Sequence, residues 1–426
     1  MQDPSAPFEA ASPAHRVRKA LDWRRTFAAL KHRNYRLWYV GQVISLLGTW
    51  MQTTAQGYLV YELTRSPAYL GYVGFAAGAP SWLFMLYGGV IADRFSRRSL
   101  LVITQVSMML LAFALAVLAA LQLVQPWHVL VLALLTGVVT AFDVPARQSF
   151  VLEMVGREDL GNAIALNSAM FNLALIIGPA AAGIAYAAFG PALCFFVNGI
   201  SFIAVIVALL MMRLPAAAET RAGASTSMLE ELKEGVRYAV GHPKIRAIML
   251  LAGTTTLFGF SFVTLIPAWA VDVLGGDART NGYLFSARGV GALLGALLIA
   301  STGHLRIRGR MLSMGTFAFP VLVFLFAEVR SVALALALTA MAGVALIQIF
   351  NVANALVQTL SPDRLRGRVM GVYSLVFFGL APLGALWIGP AAQAFGNPLA
   401  VKACAVGSFL CGLLVFRLAP ELKELE

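Results

Sequence analysis

Residues 88–98 read GGVIADRFSRR, with one acid (Asp93) and three arginines (Arg94, Arg97, Arg98) gathered into a short stretch. On either side, residues 68–92 and 99–121 carry no charged side chain beyond that Asp-Arg cluster. Some twenty apolar residues in a helix cover the roughly 30 Å hydrocarbon core of a bilayer. Backbone at that depth must satisfy its own hydrogen bonds, so each flanking run is a helix. GGVIADRFSRR is therefore the turn between two membrane crossings, and its arginines sit at a membrane surface.

The same alternation continues outward in both directions. The runs predict twelve membrane helices, at 35–61, 68–92, 99–121, 126–148, 162–189, 191–212, 245–273, 281–302, 311–327, 332–360, 369–395 and 399–418. They are called spans one to twelve below. An even number puts both termini on one side. Residues 1–34 hold Arg16, Arg18, Lys19, Arg24, Arg25, Lys31 and Arg33, with Arg36 just beyond. The gaps after the even-numbered spans hold most of the other cations, whereas the opposite side shows only Arg65, Arg279, Arg330 and Lys402. By the positive-inside rule both termini are cytoplasmic, in an inner (plasma) membrane.

Composition excludes several classes. Only 12% of the 426 residues are charged and 59% are apolar, whereas a soluble domain carries about 25% charged residues. The net charge of +12 is spread over short gaps between apolar runs, so it reads as membrane topology and not as a nucleic-acid surface. Cys194, Cys404 and Cys411 all lie in apolar runs, with neither disulfide nor metal spacing. There is no P-loop, no H-E-x-x-H and no cluster of metal-binding side chains, so neither an enzyme nor a cofactor is expected.

Residues 213–244 divide the chain into halves, 35–212 and 245–418, followed by a tail at 419–426. The divider opens with small residues and then takes helical spacing in Met228, Leu229, Leu232, Val236 and Ala239 beside Glu230, Glu231, Lys233, Glu234 and Arg237. That pattern predicts an amphipathic helix at the cytoplasmic interface. The halves are weakly similar at a lag of roughly 205 residues: VGREDLGNA (155–163) resembles LSPDRLRGR (360–368), and Gly178 and Gly183 correspond to Gly384 and Gly389. Two parallel repeats about an axis normal to the membrane are a common transporter construction.

The turn at Gly89, Asp93, Arg94, Arg97 and Arg98 resembles the G-x-x-x-D-R-x-G-R-[RK] motif of the major facilitator superfamily, with Ser96 in place of its second glycine. The resemblance covers essentially the whole chain. It implies an all-α membrane protein of two pseudo-symmetric six-helix bundles, working as a monomer on a small-molecule substrate by alternating access. It also implies that the turn is a conformational latch between the halves; the competing reading is that its arginines merely anchor the membrane face. IIGPAAAG on span five, with Gly178, Pro179 and Gly183, resembles the glycine-proline motif of the family's antiporters, Ala174 standing where the full motif has a glycine. The wording of span one, of FDVPARQSF (142–150) and of GVRYAVGHPKIR (235–246) is similar to the enterobactin exporter-like group, which includes siderophore and macrolide efflux proteins. This implies export of a drug-like compound or a siderophore, with protons as the coupling ion. The alternative is a facilitator or importer of a small metabolite without proton antiport.

In that fold spans one, four, seven and ten line the central path. These spans are rich in polar side chains, including Gln42, Gln52, Gln56, Thr136, Thr140, Asp143, Thr256, Gln348, Asn351 and Asn354. Amides facing lipid are costly, so they are expected to turn inward, as cavity lining or as interhelical glue. Gln52, Gln56, Thr140, Thr256, Arg288, Gln348 and Asn351 are the candidate lining residues. Trp50, Tyr58, Phe142, Phe258, Phe262, Trp269 and Phe350 are candidate aromatic surface. Ionisable groups inside spans are functional candidates by default. Asp143, with Arg147 one turn on, is read as a relay at the cytoplasmic gate that pairs with Arg147 or with Arg97; the competing role is to carry the coupling proton. Arg288 either attracts an anionic group or snorkels to the interface.

Overall fold

The structure, a computed structural model, describes residues 27–82, 84, 96–156, 158–213, 228–302 and 307–425. Gly89, Asp93 and Arg94 of the turn lie outside these residues, as do most of the amino-terminal arm and the first part of the divider.

The charge-poor runs are helices wherever they are described. The first half holds α1 (Arg33–Thr64), α2 (Pro67–Gly78), α3 (Arg97–Ala120), α4 (Pro126–Val155), α5 (Leu160–Phe189) and α6 (Pro191–Met211). After the divider helix α7 (Met228–Gly241) come α8 (Pro243–Val273), α9 (Ala278–Thr302), α10 (Arg308–Glu328), α11 (Val332–Leu360), α12 (Arg366–Phe395) and α13 (Asn397–Leu418). Span seven is thus α8, and each later span is one label ahead of its ordinal. Ten of the described helices are long and apolar enough to cross a membrane. Helix α1 is long enough at 32 residues but too polar to count among them, because its core-facing side carries amides and hydroxyls.

Helix α7 does more than lie on a surface. Arg368, in the first turn of α12, pairs with Glu231 and Glu234, and Arg364 reaches Glu234 at 3.5 Å. A Cβ on Gly235 would stand 2.8 Å from the Arg368 carbonyl oxygen, so the helices touch backbone to backbone. The amino-terminal segment is docked too. Asp159, just before α5, takes Lys31 at 2.8 Å and His32 at 2.7 Å, and the Lys31 bond first and the His32 bond second hold its carboxyl below the usual range.

Helices α1 to α6 pack among themselves, chiefly as α1 on α5 and α6, α3 on α4 and α6, and α2 on α4; α9 to α11, α10 with α13, and α8 with its neighbours do the same in the second half. The halves meet along α5 with α9 and along α2 with α12. Glycine makes both crossings possible. A Cβ on Gly282 would lie 2.4 Å from the Pro179 carbonyl oxygen, and one on Gly183 would lie 2.7 Å from that of Ala278. On the other side, Gly71 faces the Ala385 carbonyl oxygen at 2.5 Å and Gly389 that of Pro67 at 2.8 Å. The glycines paired by the sequence lag do paired work. Gly178 and Gly384 each seat their helix on the first helix of its own half (Leu47 and Trp50; Leu257 and Ser261), while Gly183 and Gly389 seat it on the opposite half.

Candidate functional site

Helix α1 positions the main polar wall. Gln42, Ser45, Thr49, Gln52, Thr53 and Gln56 recur at three- and four-residue steps, so they share one face, and that face borders a cavity of about 380 Å³. Opposite stand Thr136, Thr140, Asp143 and Arg147 of α4, with Gln105 of α3 and Asn198 of α6 between. The second half contributes Phe260, Val263, Thr264 and Pro267 of α8 and Phe285 of α9. The threonine hydroxyls are largely spent on their own helices: Thr49, Thr136 and Thr140 each donate to the carbonyl four residues back at 2.7–2.9 Å. Recognition capacity therefore rests on the amides.

Asp143 is the best-held group in this wall. It is 1% exposed and accepts from Thr104 Oγ1 and Gln105 Nε2, both at 2.9 Å, while its other oxygen takes Arg147 at 3.1 Å. Arg147 extends the chain to Gln42 Oε1 at 3.5 Å. Among the described residues, Gln105 Oε1 is buried without a hydrogen-bond partner. Gln52 accepts from Asn198 Nδ2 at 2.7 Å. Of the two partners considered for Asp143, Arg147 takes it; Arg97 pairs with Glu153 of α4, and Arg98 donates to the Leu210 carbonyl at 2.8 Å.

Four expected lining residues are not in this wall. Thr256 is fully buried and donates to the Ala252 carbonyl at 2.9 Å. Gln348 is buried and Asn351 exposed, both away from the cavity, because α11 contributes nothing to it. Arg288 stands behind Phe260 and Phe285, its guanidinium carbon 5.6 Å from each ring centre. The expected aromatics mostly pack: Trp269 stacks on Phe326 at 4.7 Å, Phe262 lies against Phe319, and Trp50 meets Phe171 edge-on. Phe202, Phe260 and Phe285 are the cavity's aromatic faces instead. Helix α8 is irregular where it borders the cavity, a π turn over Thr255–Gly259 giving way to a 3-10 stretch over Phe260–Leu265. Interrupted helices near mid-membrane are typical of transporter binding sites.

The glycine-proline motif sits at the crossing. Pro179 has no N–H for the Leu175 carbonyl, and Gly289 of α9 comes within van der Waals reach of that carbonyl. Ser286 donates to the neighbouring Ile176 carbonyl at 2.5 Å.

One end of the cavity is shut by bonds between the halves. Asp272, at the end of α8, accepts from the Tyr61 hydroxyl of α1 across the halves, and from Asn397 Nδ2 of its own half at 3.0 Å. Ser66 donates to Gln393 at 2.8 Å, and Asn281 reaches the Thr54 carbonyl at 3.4 Å. All these lie toward the end marked by Arg65, Arg279 and Arg330. Among the described residues, no hydrogen bond or ion pair joins the halves at the Arg-rich end. Asp272, Asn198, Gln105, Phe260 and Phe285 escaped the sequence reading. The signal for the amides was present, but it was weighed only on spans one, four, seven and ten.

A cavity with an amide-rich wall, enclosed by membrane-length helices from both halves and bonded shut at the Arg65 end, fits a small-molecule transporter and not an enzyme. The comparisons agree. Residues 24–426 match the family model of the transmembrane secretion effectors, and the chain belongs to that major facilitator family. It is 29% identical over 387 residues to the "Multidrug efflux pump Tap" of Mycolicibacterium fortuitum, covering 89% of this chain and 94% of that protein. It is 25% identical over 412 residues to the "Enterobactin exporter EntS" of Salmonella typhimurium, covering 94% and 96%. The crystal structure of nucleoside transporter NupG superposes with a TM-score of 0.69 over 91% of this chain and 98% of that one, at 15% identity, which speaks to the fold alone.

Proposed function

We propose that this protein exports a small molecule, a drug-like compound or a siderophore, across the inner membrane by alternating access in exchange for protons. The observation that carries the reading is the cavity between the halves, closed at the Arg65 end by Asp272, Ser66 and the glycine crossings. The architecture proposed is twelve spans in two six-helix bundles, 35–212 and 245–418, joined by 213–244, with a cytoplasmic arm at 1–34 and tail at 419–426. The equivalent seats of Gly178 with Gly384 and of Gly183 with Gly389 support the pseudo-symmetry. Charge placement supports cytoplasmic termini, so the cavity faces the cytoplasm and the sealed end faces out. Export is supported by the relatives named above as an efflux pump and an exporter. On this reading Gly89, Asp93, Arg94, Arg97 and Arg98 form the inner latch, Asp143 with Arg147 a fixed relay beside it, and the protein works as a monomer.

The test is transport in everted membrane vesicles. Respiration-driven accumulation of ethidium or of enterobactin, abolished by a proton ionophore and absent from vesicles lacking the protein, is the expected result. Accumulation indifferent to the ionophore would refute proton exchange, and no accumulation of either class would refute drug or siderophore export.

The outer seal gives a separate prediction. A hydrogen bond to a charged group contributes about 1.5–3 kcal/mol. Tyr61→Phe removes one that exists only while the outer end is closed, so the closed population should fall roughly tenfold or more relative to the open one. Spin labels at positions 65 and 330 would report it as a longer distance population. An unchanged distance distribution would remove Asp272 from the seal.

A further inference from the structure

We propose that the cavity is an anion site, in which Arg288 selects amphiphilic organic acids, molecules with one carboxylate-like group on an aromatic or otherwise apolar body. The proposal rests on the cavity being the substrate site and adds the class of substrate.

Among the described residues, Asp143 and Arg288 are the only charged side chains in the buried set. Their surroundings are opposite. Asp143 is met by three donors. Arg288, 8% exposed, has no carboxylate and no hydrogen-bond acceptor among the described residues, and its Nε is buried without a partner. It lies ten residues into α9, about 15 Å along the helix, far from either membrane surface. Snorkelling would leave the guanidinium with water or lipid phosphate, and burial at this depth rules that out. The two phenyl faces at 5.6 Å contribute about 0.5–2 kcal/mol, whereas burying an uncompensated charge costs several kcal/mol. A counter-ion is missing from the described protein.

The cavity is where it would come from. Phe260 and Phe285, the rings flanking the guanidinium, are cavity-lining residues. Phe285 and Arg288 are three residues apart on α9 and so share a helix face, which brings the cation to the cavity's edge. The acid already in the wall, Asp143, is neutralised by Arg147 on the α4 side. Arg288 therefore sets the sign of the unbalanced charge. A carboxylate, sulfonate or phosphate would pair with its forked N–H groups, and the ligand's body would rest on Phe202, Phe260 and Phe285 while Gln56 and Gln105 meet its polar substituents.

The experiment is equilibrium binding to the purified full-length protein in lipid nanodiscs, with 2-naphthoate and its neutral isostere 2-naphthamide as probes. Wild type should bind naphthoate at least tenfold more tightly than naphthamide. Arg288→Gln should erase that preference while keeping naphthamide binding, and Arg288→Lys should keep part of it. Equal affinity of the two probes in wild type, no naphthoate binding, or a preference that survives Arg288→Gln would overturn the proposal. Should Arg288→Gln not yield monodisperse protein, the wild-type probe pair and Arg288→Lys decide, an unaltered preference in the lysine variant counting against the bidentate pairing. Anion preference without any vesicle transport would sink the export reading and leave the anion site standing; transport without the preference would do the reverse.

Discussion

Gly71→Val is expected to cut transport at least tenfold without removing the protein from the membrane. A Cβ at position 71 stands 2.5 Å from the Ala385 carbonyl oxygen and 3.1 Å from the Gly389 Cα. Both are backbone atoms of α12, so no side chain can swing aside. Overpacking a well-packed site costs typically about 1–3 kcal/mol even where side chains relax. On the proposed alternating-access cycle the cost falls on one conformation alone, the one in which α2 and α12 touch. Three kcal/mol against one state is a population shift of roughly 150-fold. The variant should be held with its outer end parted, and a cysteine at position 65 should become much more reactive to a membrane-impermeant maleimide. Gly71→Ala should be intermediate. Wild-type transport by the valine variant would mean that the two helices never need to approach this closely during the cycle.

The second large effect concerns stability. Asp143→Ala should lower the thermal unfolding midpoint clearly, because it strands Arg147 and frees Thr104 and Gln105 inside the first half. Removing one member of a buried pair costs about 3–5 kcal/mol, and Arg147, 28% exposed toward the cavity, places the expected loss at the lower end. Asp143→Asn keeps an acceptor for Thr104 and should lose less. The double variant Asp143→Ala, Arg147→Ala should recover much of the loss, since no unpaired charge remains. A double variant no more stable than Asp143→Ala alone would show that the threonine and glutamine bonds, and not the ion pair, make this site matter.

The membrane architecture was legible because hydrocarbon leaves a chain few choices. The ten helices that qualify by length and apolarity fall close to the predicted runs, and the glycines matched by the sequence lag, Gly178/Gly384 and Gly183/Gly389, proved to do matching work. The polar face of α1 was equally legible, since Gln42, Gln52 and Gln56 can satisfy their amides only inside the protein. Less was readable in the second half. Gln348 and Asn351 carry the same signal on α11 yet do not line this cavity, because an amide in a span shows a polar preference, not which interior it enters. The aromatics misled for a related reason: Trp269 and Phe262 pack as readily as they bind. The link from Tyr61 to Asp272 joins residues 211 positions apart, and no local pattern announces such a pair.

The glycine seams have one more consequence. Where α2 meets α12 and α5 meets α9, the touching surfaces are mostly peptide backbone, and they say nothing about cargo. The amides and rings that line the cavity stand on other faces of the scaffold. On the proposed alternating-access reading, motion and selectivity are thus written in separate sets of residues, so mutation could change the cargo without redesigning the crossings.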